Sequence, residues 1–282
     1  MQGRIAFASI IGECMKIDFR KKKLYLLDMD GTLYLDNDLF PDTKRFLSSV
    51  KEHGGRCLYL TNNSSKSVDA YVTKMKKLGI DTTKEDFVTS VDATIEYLQI
   101  HHSNQLCYVL GTNSFYEQLA DAHINVTRSL SDSIEVLVMG FDTELTFAKL
   151  EDASILLTRD IAYVAANPDW VCPTAYGYVP DCGSVALMLK NATGKWPVFI
   201  GKPETAMIDL AMARIGTSAE QTVLIGDRVY TDIAAGNNAG IDTIMVLSGE
   251  GTIKETQEKC IFPTLISDHI GCVADMIDKS FE

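Results

Sequence analysis

Five polar residues of this chain sit where catalysis could use them: Asp28 and Asp30 in Asp28-Met29-Asp30-Gly31-Thr32, Thr61 in Thr61-Asn62-Asn63, Lys202 in Gly201-Lys202-Pro203, and Asp227 in Gly226-Asp227. Each follows a short apolar run, the pattern of a buried strand opening into a glycine or polar turn. In an open parallel sheet the carboxyl ends of the strands share one edge, so groups far apart in sequence converge there. Converging carboxylates repel one another unless a positive charge sits among them, and a hard cation with oxygen ligands is the usual remedy. Magnesium suits that position, with Asp28, Asp30 and Asp227 as its candidate ligands, because it keeps sites for water and for a phosphate oxygen. Lys202 supplies a further charge for carboxylate and phosphoryl oxygens. The Thr61 hydroxyl and the backbone N–H groups of Asn62 and Asn63 can bind the remaining phosphate oxygens. Together these groups would stabilise a phosphoryl group in transfer, where catalysis is mostly positioning and charge compensation. Carboxylates form acyl-phosphates in known enzyme classes, which makes Asp28 the candidate nucleophile. Asp30, two residues on, would handle protons.

The elements that must position these groups can be read along the chain. Leu24 to Leu27 is a short apolar run, and Asp42 or Thr43 caps a helix that Gly54-Gly55 stops. Cys57 to Leu60 is a second strand, and a helix from Ser65 or Ser67 closes at Gly79. The middle of the chain repeats the rhythm: strands at Cys107 to Leu110, Val136 to Gly140 and Ile161 to Ala166, with a helix at Phe147 to Asp160. Residues 167 to 183 are the least regular part, a loop-rich stretch suited to ligand contacts. Strands at Val198 to Ile200, Val223 to Ile225 and Thr243 to Leu247 then return to the first pattern, with Asp232 opening a helix that Gly240 stops. Strand and helix in alternation with short connections predict a doubly wound parallel sheet.

Length and composition set the outer limits. A chain of 282 residues accommodates a core plus an inserted module, and 46% hydrophobic with 23% charged residues is ordinary for a globular protein. A net charge of -12 opposes a nucleic-acid partner, whose phosphates would be repelled at long range. No segment approaches the roughly 18 unbroken apolar residues of a membrane helix, so neither a membrane partner nor a membrane location is expected. Seven dispersed cysteines without a C-x-x-C pair suit reduced thiols in a cytoplasm. The basic clusters Arg20 to Lys23 and Lys74 to Lys77 are read as a strand entrance and a helix C-terminus rather than as an anion patch. The five histidines lack ligand spacing and are expected at the surface, and Gly111-Thr112-Asn113 is a plain strand-to-helix turn before it is an anion site. Residues 1 to 14 look like an N-terminal extension without a cleavage site, and Met15 is an alternative start.

Four segments also resemble a known family. Leu27-Asp28-Met29-Asp30-Gly31-Thr32-Leu33, Leu60-Thr61-Asn62-Asn63, Gly201-Lys202-Pro203 and Gly226-Asp227-Arg228-Val229-Tyr230-Thr231-Asp232 resemble, in order, the four motifs of the haloacid dehalogenase superfamily. The resemblance implies Asp28 as nucleophile, Asp30 as acid/base, Thr61 and Lys202 as phosphate binders and Asp227 as a magnesium ligand. The backbone carbonyl of Asp30 would complete the protein's share of the metal shell, and Asp232 would support it from behind. Only 33 residues separate Asp28 from Thr61, whereas the span from Thr61 to Lys202 has room for an inserted domain. That spacing resembles the type IIA branch, the NagD and nitrophenyl-phosphatase group. It implies an α/β core of residues 15–103 and 196–282 with an α/β cap of residues 104–195. In the cap, Asn167, Asp169, Asp181 and Ser184 are the candidates for facing the leaving group. The family usually has glycine where Asp181 stands.

The activity implied is magnesium-dependent hydrolysis of small phosphate monoesters through a phospho-aspartate, with sugar phosphates, glycerol phosphate and nucleoside monophosphates as candidate substrates and a homodimer as the candidate assembly. A phosphotransferase or mutase would use the same fold but return the phosphate to an organic acceptor. A phospho-acceptor signalling module would need neither a cap nor Asp30. A dehalogenase would need neither Asp30 nor magnesium.

Overall fold

A computed structural model describes residues 17–174 and 176–282. The expected extension at residues 1 to 14 and the alternative start at Met15 lie outside the described residues. The described chain gathers into two compact units, one within residues 17–35, 39–57 and 215–282, the other within residues 36–38 and 58–214.

In the first unit the strand Leu24–Leu27 pairs in parallel with Thr222–Gly226, which pairs with Asp242–Val246, which pairs with Leu265–Ser267. The register sets Leu27 beside Ile225 and Ile225 beside Ile244. Leu24-Tyr25-Leu26-Leu27 and Thr222 to Gly226 are buried throughout. Unbroken apolar runs instead of alternation are what a parallel sheet covered on both faces requires. The helix Thr43–Glu52 packs against the C-terminal helix Ile270–Phe281 through Arg45 to Asp275 at 2.8 Å and a stacked His53–Phe281 pair. Asp42 precedes the first of these helices in a left-handed conformation, φ 67°, so its carboxylate does not cap the helix and instead accepts from Arg45. Lys22, from the first basic cluster, is buried. Its ammonium donates to the carbonyls of Glu220 and Thr222 and pairs with Asp242 at 2.7 Å.

The second unit holds a five-stranded sheet in the order Val198–Phe199, Ala162–Ala165, Ile134–Met139, Leu106–Leu110, Val126–Thr127, parallel throughout. The strand Arg56–Thr61, whose residues from Leu58 on belong to this unit, pairs in parallel with Phe87–Thr89. The helices Phe147–Leu156 and Cys182–Thr193 close the core of this unit around Leu137, Met139, Leu156, Ala186 and Leu189. Lys74, Lys76 and Lys77 occupy the last turn of the helix Val68–Lys77, where cations meet the negative end of the helix dipole.

Three sequence expectations change. Residues 167 to 183 are more ordered than their composition suggests: Val171–Thr174 and Gly177–Pro180 form an antiparallel ribbon, and Asp181 caps the following helix. The helix from Phe147 ends at Leu156, because the Thr158 hydroxyl and the Arg159 N–H turn back onto the carbonyls of Ile155 and Leu156. Asp232 does not open a helix. It lies inside a π-helical turn, Val229–Ile233, that leads into Ala234–Asn238.

Candidate active site

The first unit brings three carboxylates together at the ends of its strands. Asp28 follows Leu27, with its N–H bonded to the Ile225 carbonyl, and Asp227 follows Gly226. Asp232 reaches the same place from the π-helical turn, its carboxylate accepting from the Arg228 N–H. One carboxylate oxygen from each of Asp28, Asp227 and Asp232 lies within 4.8 Å of the others. Asp227 and Asp232 are essentially fully buried and Asp28 is partly so.

The surroundings hold Asp227 in place. The Thr32 hydroxyl donates to its Oδ1 at 3.4 Å, and the Glu250 N–H donates to its Oδ2 at 2.8 Å. Gly31, at φ 87°, takes a conformation that L side chains rarely adopt, and a β-carbon there would lie 2.5 Å from Asp227 Oδ2. The Ser248 hydroxyl donates to the Gly31 carbonyl, and Arg228 pairs with Glu250 at 3.1 Å. The loop Ser248-Gly249-Glu250-Gly251 therefore wraps a carboxylate that the motif at Asp28 also touches. Burial first, and the neighbouring Asp232 carboxylate second, push the Asp227 carboxyl up to about 6, against the Glu250 N–H and the Arg228 guanidinium.

This donor set fits magnesium. Buried oxyanions this close repel one another, and a hard divalent cation with oxygen ligands removes both that repulsion and the desolvation cost. Asp28, Asp227 and Asp232 are the side chains placed to hold it. Asp232, expected as a support, thus joins the cluster, whereas the Asp30 carboxylate is outside it. Asp30 is exposed and accepts from the buried Tyr34 hydroxyl at 3.4 Å.

The conflict among the acids gives a direct test. In metal-free protein Asp227 has a folded pKa above the unfolded value of 3.8, so its ionised form destabilises the fold above about pH 6, by roughly 3 kcal/mol. That penalty shrinks as pH falls below about 6 and is gone by about pH 4. Metal-free Asp227→Asn is expected to melt several degrees above metal-free wild type at pH 8, with the gap closing near pH 4. Added magnesium should reverse the order at pH 8 by stabilising wild type alone. Equal melting temperatures at both pH values would show that the cluster is not electrostatically strained.

The second unit arranges the remaining predicted residues. Asn62 Nδ2 donates to the Lys202 carbonyl and Asn62 Oδ1 accepts from the Lys202 N–H, both at 2.9 Å. The side chain of Asn62 is thus committed to holding Lys202, a buried residue, and its own carbonyl accepts from Ser90. The Asn63 N–H, expected to face phosphate, donates to Thr61 Oγ1 at 3.2 Å, while Asn63 Oδ1 accepts from the N–H and hydroxyl of Ser65. A β-carbon on Gly201 would lie 2.6 Å from Asn62 Oδ1, so glycine is needed for this close approach. Asn167, Asp169 and Asp181 form one buried cluster, whereas the Ser184 hydroxyl donates to the Trp170 carbonyl. The Gly111-Thr112-Asn113 turn already has an anion, the Glu144 carboxylate bonded to the Asn113 N–H. None of the five histidines is buried.

A parallel α/β fold whose strands end in Asp-x-Asp-Gly-Thr, Thr-Asn-Asn, Gly-Lys-Pro and Gly-Asp is the fold of a hydrolase that handles phosphoryl groups. Residues 25–125 match the family model of haloacid dehalogenase-like hydrolases, and residues 199–272 match a second, HAD-hydrolase-like model. The acid sugar phosphatase of Staphylococcus haemolyticus is 32% identical over 258 residues, covering 92% of this chain and 97% of that one. The crystal structure of 4-nitrophenylphosphatase from Thermotoga maritima is 34% identical with a TM-score of 0.86, covering 92% of this chain and 99% of that one. Glycerol phosphate phosphatase from Mycobacterium tuberculosis, solved in complex with magnesium, is 29% identical with a TM-score of 0.83, covering 91% and 77%. The chain belongs to the haloacid dehalogenase-like hydrolases, in their NagD-like type IIA branch, and is a hydrolase of phosphoric monoesters.

Proposed function

We propose that this enzyme is a magnesium-dependent phosphatase that hydrolyses small-molecule phosphate monoesters, of the sugar phosphate, glycerol phosphate or nucleoside monophosphate kind, through a phospho-aspartate at Asp28. The observation that carries this reading is the cluster of Asp28, Asp227 and Asp232 at the carboxyl ends of parallel strands. When bound there, magnesium would neutralise the carboxylates and compensate charge on the phosphoryl oxygens. Asp28 attacks phosphorus and displaces the alkoxide, to which Asp30 gives a proton. Asp30 then takes a proton from the water that hydrolyses the acyl-phosphate, and inorganic phosphate leaves. Thr61 and Lys202, the latter fixed by Asn62, bind the phosphoryl oxygens. The functional division follows the motifs along the chain: residues 15–103 with 196–282 as catalytic core, and 104–195 as the cap that meets the leaving group.

A cytoplasmic location is part of the proposal. Its support is that no described helix is long and apolar enough to cross a membrane, and that burial pushes the Cys107 thiol up to about 11 and the Cys182 thiol well above its ordinary value, as suits structural, unreactive thiols. The proposed assembly is a homodimer. The test of the reaction is release of inorganic phosphate from a panel of phosphometabolites and nitrophenyl phosphate, with and without a chelator. Free phosphate that appears only with magnesium is the expected result. Phosphate recovered on an organic acceptor instead would make the enzyme a phosphotransferase.

A further inference from the structure

The strand Asp242–Val246 runs parallel to Thr222–Gly226 with Met245 opposite Gly226, so the chain leaves both strands at the same edge of the sheet. One of them is followed by Asp227 and the other by a loop, residues 248–251, with two glycines in four residues. That loop is tied in two directions. Its Glu250 N–H donates to Asp227 Oδ2 at 2.8 Å, and its Ser248 hydroxyl donates at 2.8 Å to the carbonyl of Gly31, in the turn that follows Asp28. The glycines allow the close approach. A β-carbon on Gly249 would lie 2.0 Å from Asp227 Oδ2, one on Gly251 2.1 Å from the Asp227 carbonyl oxygen, and one on Gly31 2.5 Å from Asp227 Oδ2.

These contacts close a ring. It runs from the Asp227 carboxylate to Gly31, from the Gly31 carbonyl to Ser248, and from Ser248 through Gly249 and the Glu250 N–H back to the same carboxylate. Arg228 braces the ring from outside, its guanidinium on the Glu250 carboxylate and its N–H on Asp232 Oδ2, both at 3.1 Å. Apart from Asp227 itself, the ring is built of backbone groups and one side chain, the Ser248 hydroxyl. Ser248 is therefore the member that a substitution can open without filling space. Once open, the loop is free to draw the Glu250 N–H away from Asp227, and the carboxylate regains rotamers that the ring denies it. A ligand fixed before the cation arrives loses little freedom on binding it, and partners that fix a metal ligand are typically worth about 10- to 100-fold in metal affinity.

We infer that Ser248 is a positioning residue for the metal site: its hydroxyl clasps residues 248–251 over Asp227 and so sets how tightly Asp28, Asp227 and Asp232 hold a divalent cation. The inference rests on the magnesium-dependent reading above and adds to it the loop that governs the cation.

The test is calorimetric titration of the full, metal-free chain with magnesium chloride, together with melting temperatures in chelator and in magnesium. Ser248→Ala is expected to raise the magnesium Kd about tenfold. Ser248→Thr, which keeps the hydroxyl, should bind close to wild type. Magnesium should raise the melting temperature of wild type and of Ser248→Thr by similar amounts and that of Ser248→Ala by less, because the increment follows the metal affinity. A merely structural role would lower the melting temperature of Ser248→Ala equally with and without magnesium, and that result overturns the inference. So does an unchanged Kd in Ser248→Ala, or a weakening that Ser248→Thr shares in full. Should the alanine variant fail to fold, a structure of wild type with magnesium bound decides: the Ser248 hydroxyl must still meet the Gly31 carbonyl, and a loop swung away from it ends the proposal. Wild type that takes up no magnesium would overturn the metal reading itself, whereas wild type that binds while Ser248→Ala binds equally well overturns only the role of Ser248.

Discussion

Asp28→Asn is expected to lower phosphate release from every substrate by a factor on the order of 10⁴ or more, the scale seen when a covalent nucleophile is removed. The amide is a poor nucleophile, and the substitution also takes one anionic ligand from the trio that would hold magnesium. Loss of the fold is not the expected cause. Replacing one of three mutually repelling carboxylates relieves strain, so the variant should melt no lower than wild type in the absence of metal. Beryllofluoride, a mimic of the acyl-phosphate, should bind wild type at Asp28 and leave the variant untouched. Turnover near the wild-type rate would mean that water attacks the phosphate directly, and the phospho-aspartate would have to be abandoned.

What could be read from the sequence, and what could not, divides along physical lines. The strands Leu24–Leu27 and Thr222–Gly226 were legible because both faces of a covered parallel strand are apolar, leaving an unbroken run ended by Asp or Gly. Asp28 and Asp227, two of the clustered acids, were legible as candidates because they stand immediately after such runs. The ribbon at Val171–Pro180 was not, because it carries Pro173, Gly177 and Pro180, residues that usually mark loops, and its strands are held by only one partner each. Phe87–Thr89 and the helix Ser90–His101 escaped notice because the strand is three residues long and Thr89 serves both as its end and as the helix cap. Asp232 was read as a helix cap because local sequence cannot show a π-turn, whose extra residue swings that carboxylate towards Asp28 and Asp227.

Other functional detail arises only from tertiary contact. The role of Asn62 as a clamp on both backbone groups of Lys202 spans 140 residues, and nothing in Thr61-Asn62-Asn63 distinguishes it from a phosphate ligand. The loop Ser248 to Gly251 was passed over for the same reason, although two glycines so close after a strand were a signal that some backbone needed room. Here a β-carbon on Gly249 would lie 2.0 Å from Asp227 Oδ2. Fixed groups of this kind explain why a bare acid cluster becomes a site: Asp227 is held by Thr32, Glu250 and the glycines around it before any ligand arrives.

Asp30 differs from its neighbours in a way that separates its role from theirs. Its carboxylate is exposed, stays out of the trio of Asp28, Asp227 and Asp232, and takes a hydrogen bond from the Tyr34 hydroxyl, an arrangement suited to a group that exchanges protons instead of binding metal. Its proposed work is to protonate the departing alkoxide and later to deprotonate the attacking water. An aryl phosphate has a stable leaving group and scarcely needs the first step. Asp30→Asn is therefore expected to slow phosphoryl transfer from an alkyl phosphate by about 10² to 10⁴ while sparing transfer from nitrophenyl phosphate, and to slow dephosphorylation with both. With the aryl substrate the phospho-aspartate should accumulate, so rapid quenching would record a burst of nitrophenol near one equivalent of enzyme, followed by a slow steady state. With the alkyl substrate no burst should appear, because the first step has become limiting. If the variant gives no burst with nitrophenyl phosphate and loses both reactions by the same factor, Asp30 acts through the metal or the fold, and the acid/base role falls.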